Sequence, residues 1–371
     1  MPVDQPDLAE PRTMVVRALG RRVRVRAQGP GAVAFCSVFE TAWGQLLDDD
    51  GSPADGEISV VVLDATERTI AGHMASVESQ ITLTAIRGNL GAGLLLHAAA
   101  MTDESGAAIL LVGPSGAGKT TAVLHFGRYH GYVTDEIALI RRCGVVTPYP
   151  KPLSLARPST AAKAQLSPRE LHLTPTPAGE PEVARIVLLD RRPDAGERAL
   201  ASRLDLANGI FALVPHISSL TATARPLVAL ARLIARVGGV ERLAYRSIDD
   251  LDPRSTPPTC SPLDADGLVF TTPLESPTAA PTLREHHPGL VRNVPHDAIE
   301  TSDLLILARD DIVTALAAVS RTIWHATASP RSMTEVLAAV RTEHGPFDRD
   351  QEITTSNVEQ LVANGILRWL P

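Results

Sequence analysis

Apolar and polar positions along this chain follow two periods, and the places where the period changes mark its parts. Thr13 to Ala18 and Arg22 to Arg26 carry the β-branched, period-two character of half-buried strands, and Glu57 to Leu63 repeats it. The acidic stretch Asp48-Asp49-Asp50-Gly51-Ser52-Pro53 between them reads as a solvated turn. These signals predict a small α+β module over residues 1–78 in which nothing suggests chemistry.

From about Ser76 the character changes. Gln80 to Asn89 reads as a helix, and Gly91 to Ala100 as one buried strand. A turn at Asp103-Glu104-Ser105-Gly106 leads into the apolar strand Ala108 to Val112, with a helix over Thr121 to Phe126. Gly131 to Glu136 reads as a strand ending in two carboxylates. A strand at Ile137 to Ile140, a turn at Arg142-Cys143-Gly144 and a strand at Ala184 to Asp190 follow. Pro226 to Val237 has helical spacing, with Arg232 and Arg236 on its polar face. Pro253 to Pro281 is rich in proline, threonine and serine, including Thr256-Pro257-Pro258-Thr259 and Pro277-Thr278-Ala279-Ala280-Pro281. It predicts a linker over 253–288, with a short strand at Gly267 to Phe270.

The last stretch has its own pattern. Asp303 to Leu307 reads as a strand and Ala315 to Ala326 as a helix. Ser332 to Glu343 opens on the capping-box sequence Ser-Met-Thr-Glu, and Thr354 to Asn364 ends at Gly365 in C-cap position. Small strands with three helices predict a winged-helix-like module over 289–371.

At 371 residues the chain is long for one core, so several domains are expected. The formal net charge of −7 argues against a surface that coats nucleic acid. Cys36, Cys143 and Cys260 lie far apart with no C-x-x-C pair, which suits a reducing compartment and offers no zinc site. The acidic, proline-bearing start Met1 to Asp7 does not resemble a secretory signal, and no apolar run approaches the roughly 20 residues a bilayer requires. A cytoplasmic protein without membrane or nucleic-acid partners is the expectation.

Chemistry enters at Gly113-Pro114-Ser115-Gly116-Ala117-Gly118-Lys119-Thr120, followed by Thr121. A strand precedes it and a helix follows, the setting in which G-x-x-x-x-G-K-[ST] forms a P-loop. Backbone N–H groups and a helix N-terminus then make a concave site for phosphate oxygens. Lys119 would reach the β- and γ-phosphates, and the Thr120 hydroxyl would ligate Mg²⁺. Asp135 and Glu136 stand about fifteen residues further on, where one carboxylate could accept the proton of an attacking hydroxyl and the other hold Mg²⁺. His97 closes the apolar run one strand before the P-loop.

The order Leu96-His97-Ala98-Ala99-Ala100, the P-loop, Thr134-Asp135-Glu136 and Pro148-Tyr149-Pro150-Lys151-Pro152-Leu153-Ser154 resembles the HPr kinase/phosphorylase-related kinases. The resemblance covers about Gln80 to Asp250. It implies an α/β, phosphoenolpyruvate-carboxykinase-like P-loop kinase domain over 79–252, using ATP and Mg²⁺. It makes His97 the active-site histidine, Asp135 the catalytic base and Glu136 the Mg²⁺-binding acid beside Thr120. Glu136 stands where HPr kinases proper carry Asp, and their arginine-glycine signature is not recognisable, so HPr itself is not the implied substrate. Lys151 is open between a phosphate-neutralising role and a plain loop lysine. The stretch from Leu304 to Leu307 through Ile323-Trp324 and Met333 to Leu337 to the closing Leu361 to Leu367 resembles the PqqD-like peptide-binding domains. Residues 289–371 would then bind the leader of a ribosomally made precursor peptide by strand addition. Together these imply a kinase of a serine or threonine hydroxyl on that peptide. A kinase of a small hydroxylated metabolite and an ATP-switched peptide-binding chaperone with slow ATPase activity are the alternatives, and the resemblance leaves a homo-oligomer open.

Overall fold

The computed structural model describes residues 10–48, 50–156, 163–196, 198–218, 220–261, 265–274 and 288–371. Met1 to Asp7, Asp49 and Pro277 to Pro281 lie outside the described residues. Within them are eight α-helices and several β-sheets, a mixed α/β fold. Two compact units divide the chain. One lies within Met1–Leu204, Pro215–Ser219 and Arg236–Pro262, the other within Asp205–Val214, Leu220–Ala235 and Leu263–Pro371.

In the first unit, β1 (Arg12–Ala18) pairs antiparallel with β2 (Arg21–Gln28), which pairs parallel with β3 (Gly56–Val61). A parallel pair needs a crossover, and α1 (Ala32–Trp43) lies in it. Phe35, Phe39 and Trp43 recur one turn apart on its buried side, with Phe39 and Trp43 stacked at 5.3 Å. Helix α2 (Glu67–Gly88) starts on Thr66, whose hydroxyl accepts the Thr69 N–H, and buries Ile70, Met74, Val77, Ile81 and Ala85 along one side. The boundary expected at 78/79 falls inside this 22-residue helix. The core it covers also takes in Leu95, Ile137, Leu139 and Tyr149, so residues 1–78 do not bury their apolar side chains alone.

The run Gly91 to Ala100 is two strands rather than one. It breaks at His97 into β4 (Gly93–Leu96) and β5 (Ala98–Thr102), which join different sheets. Strand β4 pairs with β8 (Ala138–Arg141), which pairs with β9 (Val146–Thr147). Strand β5 enters a six-stranded sheet with β6 (Ala108–Val112), β7 (Tyr132–Thr134), β12 (Val183–Arg191), β13 (Leu200–Leu204) and β14 (Val240–Tyr245), in the order β13-β14-β12-β6-β5-β7. A separate hairpin pairs β10 (Leu153–Leu155) with β11 (Ala164–Leu166). Every residue of β6 is buried, because it runs between parallel β12 and antiparallel β5 with both faces covered. Its C-terminal end feeds the glycine-rich loop and then α3 (Lys119–Phe126).

The second unit holds α4 (Leu206–Leu213), which starts on Asp205, and most of α5 (Pro226–Arg236). Buried Asp297 accepts the Val228 N–H at 3.0 Å and the Arg225 side chain at 3.1 Å, capping the start of α5. Strands β15 (Gly289–Arg292), β16 (Asp297–Glu300), β17 (Leu304–Arg309) and β18 (Ile312–Ala317) precede α6 (Ala318–Ala326), α7 (Met333–His344), α8 (Asp350–Ala363) and β19 (Leu367–Leu370). Order β16-β17-β18 forms one sheet and β15-β19 another. The capping box at Ser332 and Glu335 forms, and Gly365 leaves α8 at φ 65°. Two expectations are corrected. Residues 315–317 extend β18, so the helix starts at Ala318, and Gly267 to Phe270 forms no strand, Ala265–Leu268 being a 3₁₀ turn. No helix among the described residues is long and apolar enough to cross a membrane.

Candidate functional site

The loop between β6 and α3 passes through two left-handed residues, Gly116 at φ 83° and Gly118 at φ 94°. A side chain is costly in that region, so glycine is needed at both. Gly113 is constrained by space instead, since a Cβ there would lie 2.8 Å from Ala117 Cβ and 3.3 Å from the Leu189 carbonyl. Tyr245 at the end of β14 donates to the Ala117 carbonyl at 2.8 Å and anchors the loop. The result is a tight glycine turn leading into a helix N-terminus, where N–H groups and the helix dipole favour anions.

Lys119 is buried, and its Nζ donates to the carbonyls of Gly113 at 2.6 Å and Pro114 at 3.2 Å. Burial lowers its pKa, while the charges of Asp135 and Glu136 oppose the shift. The Thr120 hydroxyl lies 3.4 Å from Asp135 Oδ2. Asp135 follows directly on β7 and is buried, with Oδ1 accepting from the Tyr132 hydroxyl at 3.2 Å. Glu136, next along the turn, leaves 41% of its side chain exposed.

Lys151 is no plain loop lysine. It is 2% exposed, pairs with Glu78 of α2, and lies 3.3 Å from Asp135 and 3.2 Å from Glu136. Burial works against its charge, but Asp135, Glu78 and Glu136 outweigh that and hold its pKa well above the ordinary lysine value. The other oxygen of Glu78 accepts from Ser154 Oγ and Gln165 Nε2, both at 2.7 Å. A chain of polar contacts therefore runs from β11 through α2 to the two carboxylates.

His97 sits at the break between β4 and β5. Its N–H donates to the His216 carbonyl at 2.7 Å, and the Ser218 N–H donates to the Leu95 carbonyl at 2.8 Å, so residues 216–218 extend the edge of β4. The Glu136 backbone beside the His97 ring favours its charged form slightly. Burial, then the charge of Lys119, pushes its pKa down, with Glu136 and Asp135 pulling back. The same two causes, with His97 third, lower His216.

His97, Ser115, Gly116, Gly118, Lys119, Thr120, Thr121, Asp135 and Glu136 all line one open cleft of about 510 Å³. Gly113, Pro114 and Ala117 frame the loop behind it. Ser154 of the Pro148-to-Ser154 motif also lines it, and so do Glu78, Lys163 and Arg191, which no sequence motif marks. Glu78 carried one signal: it is an acid among Met74, Val77, Ile81 and Thr82 on the buried side of α2. Among the described residues no group of three or more His, Cys, Asp and Glu gathers as ligands for a metal ion. Thr120 and Asp135 do offer two adjacent hard oxygen donors, a set that suits Mg²⁺ arriving with phosphates and water as its other ligands.

No protein-family model matches this chain, and no curated protein matches its sequence.

Proposed function

We propose that this chain is an ATP- and Mg²⁺-dependent kinase that phosphorylates a serine or threonine hydroxyl of a peptide. The observation that carries this is the meeting, in one cleft, of the P-loop with Asp135, Glu136, His97 and buried Lys151. The P-loop and Lys119 bind the β- and γ-phosphates. ATP with Mg²⁺ supplies the phosphoryl group and neutralises its charge. Thr120 and Asp135 would hold the ion, and Glu136 would accept the hydroxyl proton. This reverses the roles that the family resemblance implies for the two acids. Asp135 already faces Tyr132, Lys151 and Thr120, whereas Glu136 opens to the cleft from which an acceptor must come. His97, its pKa lowered, stays neutral near pH 7 and fixes the turn that carries Glu136. Positioning and charge provide the acceleration rather than covalent chemistry.

On this proposal the first unit belongs with the HPr-kinase-related, phosphoenolpyruvate-carboxykinase-like folds, and residues 289–371 form a PqqD-like leader binder. Strand β18 is an edge of its sheet, with exposed Ile312 and Ala315, and supports strand addition. The closing pair of the β17–β18 hairpin is Arg309–Ile312, so alternation directs the N–H groups of Val313 and Ala315 outward.

The test is to incubate the full chain with γ-labelled ATP, Mg²⁺ and the peptides encoded beside its gene. Label on a peptide serine or threonine is expected. Label only on a small molecule, or free phosphate alone, would overturn the proposal. Ala315→Pro should raise the peptide KM with ATP hydrolysis unchanged, and an unaltered KM would remove β18 as the leader site.

A further inference from the structure

Beside the reaction cleft lies a second hollow, of about 470 Å³, between α1 and α2. Ala34, Val38, Ile70 and Met74 give it apolar walls, and Ser37 and Thr41 edge it. Val38 is 43% exposed, although it sits on a helix whose other side is packed with aromatic rings. The hollow and the cleft are neighbours through two shared features. Lys163 lines both. Helix α2 also walls both in succession: Ile70, Ala71 and Met74 face the hollow, and Ala75, Glu78 and Ser79 face the cleft.

Gln165 stands where they meet. Its side chain donates to the Met74 carbonyl at 2.9 Å and to Glu78 at 2.7 Å, and accepts from Trp43 Nε1 at 3.1 Å. One residue thus joins the wall of the hollow to the Glu78–Lys151 pair that braces Asp135 and Glu136.

Building on the kinase reading, we infer that this hollow is an acceptor subsite that takes one apolar side chain of the peptide, close in sequence to the phosphorylated hydroxyl. The occupant is the acceptor peptide itself, because the hollow continues from the cleft in which its hydroxyl must sit. The spacing follows from α2. Met74 and Ile70 precede Glu78 by one and two turns, roughly 6 and 12 Å along the helix axis. An extended chain covers that distance in about two to four residues. The enzyme therefore selects an aliphatic or aromatic residue two to four positions from the serine or threonine, in addition to any leader contact.

The experiment uses the full chain with Mg²⁺, labelled ATP and an oriented library of peptides carrying one central serine and degenerate flanks. Selection of Leu, Ile, Val, Met or Phe over Asp and Lys at a flanking position two to four residues away is expected. Val38→Asp and Ser37→Trp each change an exposed position of α1, one charging the hollow and one filling it. Both should erase that selection and raise KM for the best apolar peptide roughly tenfold or more, the effect of losing one buried aliphatic side chain. The kcat and the Mg·ATP affinity should stay near wild type, which also reports an intact fold. Phosphorylation without flank preference, or an unchanged KM in both variants, would overturn the subsite while leaving the kinase reading in place. Failure of the wild-type chain to label any peptide overturns that reading and the subsite with it.

Discussion

Glu78 and Lys151 form a buried ion pair that places a lysine against both candidate catalytic acids, at 3.3 Å from Asp135 and 3.2 Å from Glu136. Removing one member of such a pair strands the other charge away from water. Lys151→Met should therefore cost on the order of 3–5 kcal/mol of stability, read from urea unfolding. The double variant Glu78→Gln/Lys151→Met should recover much of that loss but not the phosphotransfer. Equal stability of the two variants would show that a stranded Glu78 carboxylate is not what destabilises Lys151→Met.

Lys119 Nζ bonds two loop carbonyls, but burial of its charge opposes that gain, so its net contribution to the framework is small. Lys119→Met should leave the unfolding midpoint nearly unchanged. It should weaken Mg·ATP binding by roughly ten- to a hundredfold, the range expected for losing a hydrogen bond from a charged group. Titration calorimetry checks this, and an unaltered affinity would remove Lys119 from the phosphate site.

The two left-handed glycines should respond differently to alanine. An alanine at either position carries about 1–2 kcal/mol of backbone strain. At Gly118 the new methyl would also stand 3.1 Å from the Tyr245 hydroxyl, whereas at Gly116 it meets nothing within 4 Å. Gly118→Ala should thus be the less stable variant. Gly116→Ala should lose nucleotide affinity with the smaller loss of stability.

His97 and His216 are both pushed below the ordinary histidine value of 6.5, first by burial and then by Lys119. In the window between their folded values and 6.5 the unfolded chain binds more protons than the folded one. Stability therefore rises with pH across that window and falls as pH drops below 6.5. Unfolding midpoints taken at steps from about pH 5 to 7.5 should show this slope, and the double variant His97→Gln/His216→Gln should flatten it. An unchanged slope would mean that other groups carry it.

The loop Gly113 to Thr120 was legible because its residues are contiguous: eight residues, with glycine where φ must be positive, specify the shape wherever the chain carries them. The capping box at Ser332 and Glu335 and the stop at Gly365 were legible for the same local reason. Helix α1 was missed amid the strand patterns on either side. The break at His97 was hidden because both β4 and β5 are buried along their whole length, so the apolar residues on either side of His97 read as one strand.

What the sequence determined by itself, then, is the conformation of short stretches: the strand–loop–helix around Gly113 to Thr120, the caps, and the order of elements. The tertiary structure decided which distant charges meet. Glu78 and Lys151 are 73 residues apart, and neither sequence neighbourhood announces the other. Carboxylates offset the desolvation of Lys151, so folding had to bring α2 to the segment after Tyr149 before Lys151 could acquire a role. In the same way Thr120 meets Asp135, and His97 meets the turn at Glu136, because β5, β6 and β7 share one sheet. Backbone geometry is written locally, whereas the pairing of buried charges depends on which surfaces exclude water together.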